Sequence, residues 1–206
     1  MEIRTCTETD RDALRTLFGR AGAGAPTETL WGHEESEADV YLWPYLAHGT
    51  VLTAVTDGVF TGYLAGTDGT APFPSEQDRM TRAIREHRLT FRKAPAAFFA
   101  RSMVDAAKAA VRRQSTAGEL HDPRWPAHLH INVAPEARGT GAADALVKEW
   151  LAVLGDTGCH LQTLRENTRA VRFFERMGFR GHGPEPLVPG IRHEGGRLHQ
   201  KTMVRP

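Results

Sequence analysis

Lysine is scarce in this chain, cysteine scarcer still, and a long apolar run is missing. Only Cys6 and Cys159 are present, too few for a disulfide framework or a cysteine-based metal cluster. No apolar stretch approaches the roughly 20 residues needed to cross a bilayer. The opening Met1-Glu-Ile-Arg-Thr5 has neither the charged start nor the apolar core of a signal peptide, so a cytoplasmic protein is expected. Excess charge is missing too. A formal net charge of +1 gives no reason to expect a nucleic acid or a membrane surface as partner. With lysine only at 93, 108, 148 and 201, the positive charge is nearly all arginine, a bias that need not be functional. There are no repeats and no low-complexity tract. There is also no Gly-x-Ser-x-Gly, and neither cysteine has a base beside it, so a covalent enzyme nucleophile is not expected.

What is present suits one soluble domain spanning 1–206. Hydrophobic residues make up 40% and charged residues 25% of the chain, ordinary values for a packed globular protein. A short strand is expected over Glu2 to Thr7, then a helix to about Arg20 capped by Thr9 or Asp10. Ala21 to Pro26 is a glycine-rich loop, a connector or a substrate-side lid. Ser36 to His48 reads as a helix interrupted at Pro44. Val51–Thr56 and Val59–Ala65 flank Asp57-Gly58, a hairpin signal, with the second strand broken from Gly66. A helical insertion covers about 75–117, divided near Ala94-Pro95. After it come a strand ending before Pro135, a small-residue turn, a helix with Leu146, Trp150 and Leu154 on one face, and a strand Cys159–Leu164. Strand, helix, strand predicts a parallel pair with a right-handed crossover. A helix from Asn167 to Met177 follows, with Gly178 placed to end it, and a last strand is expected at Leu198–Val204.

The turn Arg138-Gly-Thr-Gly-Ala-Ala143 carries the chemistry. Small residues let main-chain N–H groups approach an anion at a helix N-terminus. It is not a P-loop, because no Lys-Ser/Thr follows the last glycine, and its spacing fails the Rossmann fingerprint.

The turn resembles the acyl-CoA loop of the GNAT N-acetyltransferase superfamily, Gln/Arg-x-x-Gly-x-Gly/Ala, here Arg138-x-x-Gly141-x-Ala143. A second block, Glu166-Asn-Thr-Arg-Ala-Val-Arg-Phe-Phe-Glu-Arg-Met-Gly-Phe179, is similar to that family's Asn, Ala, aromatic pair and Gly-Phe motif. A narrower likeness rests on Gly62–Phe73, the insertion after it and Pro126–Ile131. These resemble the acetyltransferase-like C-terminal domain of O-GlcNAcase and its bacterial single-domain relatives. The resemblance implies an α/β (α+β) fold: a central mixed, mostly antiparallel sheet with one parallel βαβ pair, flanking helices and the insertion.

It further implies acetyl-CoA as the donor. Backbone groups of Ile131 to Val133 would pair with the pantetheine arm, and the amides of Arg138, Gly139, Thr140, Gly141, Ala142 and Ala143 would hold the pyrophosphate. Asn167, Phe173 and Phe174 would line the same site, Asn167 either bonding the ligand or simply capping its helix. The parallel strands should part near Val133 and Cys159. The Val133 N–H would polarise the thioester carbonyl.

His128, His130 and Asn132 share one strand face, and His130 is the first choice of base, with a packed or surface histidine as the plain alternative. No metal site is expected, since His128-x-His130 has no third ligand at a recognisable spacing. Phe174 stands where the family commonly has a tyrosine, and it has no proton to give. Another donor such as Tyr63 could act, the thiolate could leave unassisted, or the chain binds acetyl-CoA with little or no transfer. Tyr63 and Asp68 are the candidate acceptor contacts, Asp68 otherwise being turn chemistry. The expected acceptor is a small-molecule primary amine, a protein lysine being the alternative; a monomer or a homodimer is expected.

Overall fold

The computed structural model describes residues 1–21 and 30–206, so most of the glycine-rich Ala21–Pro26 stretch lies outside the described residues. Among the described residues, eight strands form one sheet in the order β1-β2-β3-β4-β5-β8-β6, with β7 pairing β8 off that path. They are β1 (Glu2–Thr5), β2 (Thr50–Thr56), β3 (Val59–Thr67), β4 (Ala127–Val133), β5 (Cys159–Leu164), β6 (Arg180–His182), β7 (Leu187–His193) and β8 (Gly196–Arg205). Every pairing is antiparallel except β4 with β5. This is the expected mixed sheet with its parallel βαβ pair.

The hairpin β2–β3 turns where expected. Asp57 and Gly58 both take positive φ, 52° and 77°, the geometry that matches the twist of paired strands. Alternation then sorts the sheet's two faces. Leu52, Ala54 and Leu64 join the core built on Leu146, Val147 and Trp150 of α6 (Ala142–Leu154). Val51, Tyr63 and Ala65 point the other way, into a core shared by α1 (Arg11–Ala21), α2 (Glu34–Tyr41) and α3 (Trp43–His48). Pro44 opens α3 instead of breaking a longer helix, because a first-turn proline lacks only an N–H that would be unpaired anyway.

Two expectations about element ends are corrected, and two strands are added. Strand β3 does not break at Gly66 but runs on to Thr67. A side chain at Gly66 would meet the Trp150 ring at 2.7 Å, so the glycine admits α6 against the sheet. The insertion divides at residues 87–92, between α4 (Glu76–Glu86) and α5 (Lys93–Val111), not at Ala94-Pro95. Pro95 sits in the first turn of α5, where it costs no helical bond. The Gly- and Pro-rich stretch after Phe179 holds β6 and β7, which the sequence reading passed over. Strand β7 is anchored to α5 by buried Asp105, whose carboxylate accepts from the Gly190 N–H at 3.0 Å and from Arg192 at 2.8 Å.

Candidate functional site

Strands β4 and β5 pair at only two positions, Ala127 with Cys159 and His128 with His160. Beyond those they diverge, so the parting starts one residue after Cys159 and well before Val133. Strand β4 stays paired to β3 along its length, and β5 stays paired to β8. The Ala127 N–H donates to the Gly158 carbonyl at 3.2 Å on the β5 side, and the Ala134 N–H donates to Thr61 at 2.9 Å on the β3 side. Successive peptide groups of a strand point to opposite edges, so Leu129, Ile131 and Val133 face the β5 side. The His128–His160 pair still engages the Leu129 N–H, and Ile131 and Val133 turn their N–H and C=O groups into the gap. A row of unpaired amides beside an opening wedge can accept a chain carrying amides of its own.

The wedge belongs to a cavity of about 1470 Å³ that reaches the glycine turn. A 3-10 turn at Pro135–Ala137 ends β4, and the Thr140 hydroxyl locks it by donating to the Ala137 carbonyl at 2.8 Å. Gly139 and Gly141 take φ of 85° and 90°, left-handed values that glycine adopts without strain. Gly141 is the N-cap of α6 and has no side chain to spend on the helix end. The first-turn amides are thus left for an anion, with the helix dipole behind them. Arg138 lines the same cavity, as do Arg169 and Arg176, and its guanidinium also donates to the Ala21 carbonyl at 3.3 Å.

Of the expected cofactor contacts, Ile131, Val133, Arg138, Gly139, Gly141, Ala143, Asn167, Phe173 and Phe174 line this cavity, and so do Tyr63, His130 and Asn132. Thr140 and Ala142 are not among its lining residues; Ala142 is buried in the core beneath α6. Asn167 caps α7 (Thr168–Arg176), its Oδ1 accepting from the Ala170 N–H at 3.2 Å, which leaves its amide nitrogen as a donor for a ligand. Phe174 is 5% exposed and packs on Phe173 and Phe179. Asp68 is placed apart from the cavity. It is exposed, and its carboxylate accepts from the Thr70 N–H and hydroxyl at 3.0 and 2.8 Å. This is the turn geometry of a short acidic side chain.

On the face toward α1–α3, Tyr63 opposes Asn132, Ala65 opposes His130 and Thr67 opposes His128. Asn132 Nδ2 donates to the Tyr63 hydroxyl at 2.7 Å, which leaves the phenol proton free for another acceptor. Burial raises the Tyr63 hydroxyl well above an ordinary phenol, so it donates a hydrogen bond more readily than it gives up a proton. His130 lies edge-on to Tyr41 and Tyr45, with ring centroids 6.0 and 5.4 Å away. Burial first, then the Arg79 cation and His160, pull it down to about 4. It is therefore neutral at physiological pH, with a lone pair available. His128 is pulled lower, to about 2, by burial and by His130, His160 and Arg79; its Nε2 meets the Tyr45 hydroxyl at 2.8 Å.

Sequence reasoning missed the residues that surround this pair. Arg79 is 6% exposed; it bonds the Val40 carbonyl, pairs with Glu119 at 3.5 Å and lies over the Tyr45 and Phe73 rings. Tyr41 donates to Glu76 at 2.8 Å. His160 Nδ1 donates to the Trp125 carbonyl at 2.7 Å, and its ring lies 5.4 Å from His128. A second cavity of about 240 Å³ reaches His128 and His160 and shares His130 and Glu76 with the first. The only available signal was His160, which falls opposite His128 once β4 and β5 are aligned.

No metal site was expected, yet His33, Glu35 and His87 bring one potential ligand atom each within 4.8 Å of one another. His33 Nδ1 is near the Ser36 hydroxyl at 3.0 Å, and His87 Nε2 meets Asp39 at 2.6 Å. Glu35 is exposed. The His87–Asp39 contact ties the end of α4 to the second half of α2.

The three lowered histidines make a prediction for stability. A folded-state value below the ordinary ~6.5 means that the unfolded chain binds protons the folded chain refuses. Stability is therefore complete above about pH 6.5 and is lost as pH falls toward the folded values. The lowered carboxylates, such as Glu166 at about 2, begin to lose their contribution only below about pH 5. The melting temperature is expected to hold above pH 7 and to fall steadily between pH 6.5 and 4. A flat profile across that interval, by calorimetry or circular dichroism, would mean that the histidines are not held neutral.

Residues 99–181 match the acetyltransferase (GNAT) domain family. That span opens in α5 and closes in β6, taking in β4, the glycine turn, α6, β5 and α7. Solved structures share the fold over nearly their whole length. One is the histone acetyltransferase HPA2 and related acetyltransferase of Corynebacterium glutamicum, at 20% identity and TM-score 0.60, covering 99% of this chain and 94% of that one. Another is the ribosomal-protein-alanine N-acetyltransferase of Brucella melitensis, at 18% and 0.59, covering 100% and 99%. A third is an N-acetyltransferase of Staphylococcus aureus, at 13% and 0.58, covering 98% and 96%. At such identities the likeness is one of fold, and the fold is that of the GNAT acetyltransferases.

Proposed function

We propose that this GNAT-fold chain is an acetyl-CoA-dependent N-acetyltransferase that moves the acetyl group directly to a primary amine. The observation that carries the reading is the wedge between β4 and β5, whose unpaired amides lead to an uncapped helix N-terminus preceded by two left-handed glycines. Those donors fit the group. Strand-like amides at Ile131 and Val133 suit the pantetheine arm, and first-turn amides with Arg138 suit a pyrophosphate. When bound, acetyl-CoA supplies an acetyl group already activated as a thioester.

The protein's share is positioning and proton handling. The Val133 N–H, turned into the wedge, would in this reading stabilise negative charge developing on the acetyl oxygen. As the amine nitrogen bonds to the carbonyl carbon and the C–S bond breaks, the amine proton passes to His130, directly or through water. The Tyr63 hydroxyl, oriented by Asn132, offers a hydrogen bond to the departing sulfur, which leaves as a thiolate without full protonation. His128 positions His130 in this scheme, and Phe174 walls the cofactor site. A small-molecule amine is the favoured acceptor and a protein lysine the alternative. The narrower likeness to the O-GlcNAcase C-terminal domain rests on its sequence segments and does not transmit a substrate.

Phe174 favours a second reading, in which the chain binds acetyl-CoA and transfers little. Calorimetric titration with acetyl-CoA, followed by thiol release over a panel of small amines and lysine peptides, separates the two. Micromolar binding with amine-dependent thiol release is expected. Binding without release across the panel would favour the second reading, and no heat of binding would sink both.

A further inference from the structure

The large cavity has a basic side and an acidic side. Arg138, Arg169 and Arg176 come from the glycine turn and α7, whereas Glu37, Glu76 and Glu119 come from α2, α4 and the segment before β4. Two of these acids are already engaged. Glu119 pairs with Arg79 at 3.5 Å, and Glu37 accepts from the backbone N–H groups of Trp31 and Gly32, both at 3.0 Å. Glu76 differs. Among the described residues its carboxylate accepts only from the Tyr41 hydroxyl, at 2.8 Å, and has no cationic partner. It stands where the two cavities meet, together with His130.

The wall beside Glu76 is aromatic. Trp31 lies 5.9 to 6.1 Å from the Tyr41, Phe98 and Phe99 rings, and Met80 completes the group. Trp31 is buried, but Tyr41, Met80, Phe98 and Phe99 are only half-buried within an apolar cluster, and all four line the cavity. An apolar surface in a cavity gains by being covered, and a carboxylate without a cation gains by meeting one. A cation beside these rings is also attracted by their faces.

We infer that the acceptor is a primary amine carried on an apolar body of aromatic size, with its ammonium held by Glu76 and its body laid against Met80, Phe98 and Phe99. This rests on the acetyltransferase reading and narrows it. A polar amino sugar or a polyamine would leave the aromatic wall uncovered, and a peptide lysine would bring only its alkyl stem.

The test has a binding arm and a turnover arm. In the first, 2-phenylethylamine, ethylamine, spermidine and a lysine peptide are titrated into the CoA-saturated protein by calorimetry. Phenylethylamine is expected to bind at least about tenfold tighter than ethylamine, since a buried ring is worth that much or more. Glu76→Gln, which keeps an acceptor for Tyr41, is expected to weaken phenylethylamine about tenfold or more while the acetyl-CoA affinity and the melting temperature stay put. Equal binding of phenylethylamine and ethylamine, a preference for spermidine or the peptide, or an unchanged Glu76→Gln affinity would overturn the assignment. The turnover arm follows thiol release with the same amines. Selective binding without any release would remove the transferase reading and leave an amine site. Release that ignores the apolar body would keep the transferase and remove the aromatic chamber.

Discussion

Gly141→Val is expected to weaken acetyl-CoA binding by at least about tenfold while the protein remains folded. Gly141 holds φ of 90° and ψ of 0° as the N-cap of α6. A β-carbon there would meet nothing within 4 Å, so the first atom added does not clash with the protein itself. Its cost is conformational. A left-handed residue with a β-carbon is strained by roughly 1–2 kcal/mol, about 5- to 30-fold in an equilibrium constant, and a β-branched one tolerates the conformation worse than most. Either the turn relaxes and its amides swing away from the phosphates, or it stays and the ligand meets the new methyl groups. Both routes weaken the cofactor. Calorimetry with acetyl-CoA, beside a melting curve, checks it. Gly141→Ala should fall between wild type and valine. Unchanged affinity in the valine variant would mean that the pyrophosphate does not bind at this turn.

That turn was legible in the sequence because everything it needs is local. Gly139 and Gly141 supply the left-handed geometry, Pro135 ends the strand, and the apolar spacing of Leu146, Trp150 and Leu154 gives the helix. The face shared by His128, His130 and Asn132 was legible for the same reason, since a strand fixes which side chains lie together. The partners of those residues were not. Tyr41 and Tyr45 reach His130 from helices more than eighty residues earlier in the chain, and Arg79 and Glu119 meet across forty. No period or motif announces a contact of that range; packing alone makes it. The Tyr63–Asn132 bond is intermediate. Both residues were candidates, but their pairing required the β3–β4 register. In the sequence alone Asp68 stays open between turn and acceptor contact, and Gly66 reads as a strand end, for one reason: small and acidic residues mark turns and functional positions alike. Only their neighbours distinguish an exposed turn carboxylate from an acceptor contact, or a strand end from a seat for Trp150.

His130→Ala is expected to lower kcat about a hundredfold, the lower end of what a positioned proton acceptor contributes, and to leave acetyl-CoA affinity unchanged. The second half follows from placement. His130 sits on the face toward α1–α3, whereas the amides proposed to hold the cofactor point into the wedge from Ile131 and Val133. The pH dependence should be unusual. An ordinary imidazole base would give an acid limb near ~6.5, but burial first, and then the fixed Arg79 cation, hold His130 down at about 4. It is already deprotonated throughout the working range, so its own titration limits nothing above about pH 5. The amine must lose a proton to become a nucleophile, and its ionisation should set the profile, with kcat/KM rising about tenfold per pH unit between pH 6 and 8. A plateau beginning near pH 6.5 would show that the imidazole titrates normally and that Arg79 does not act on it. If kcat survives the His130→Ala change, the proton leaves by another route, and the histidine face of β4 serves packing alone.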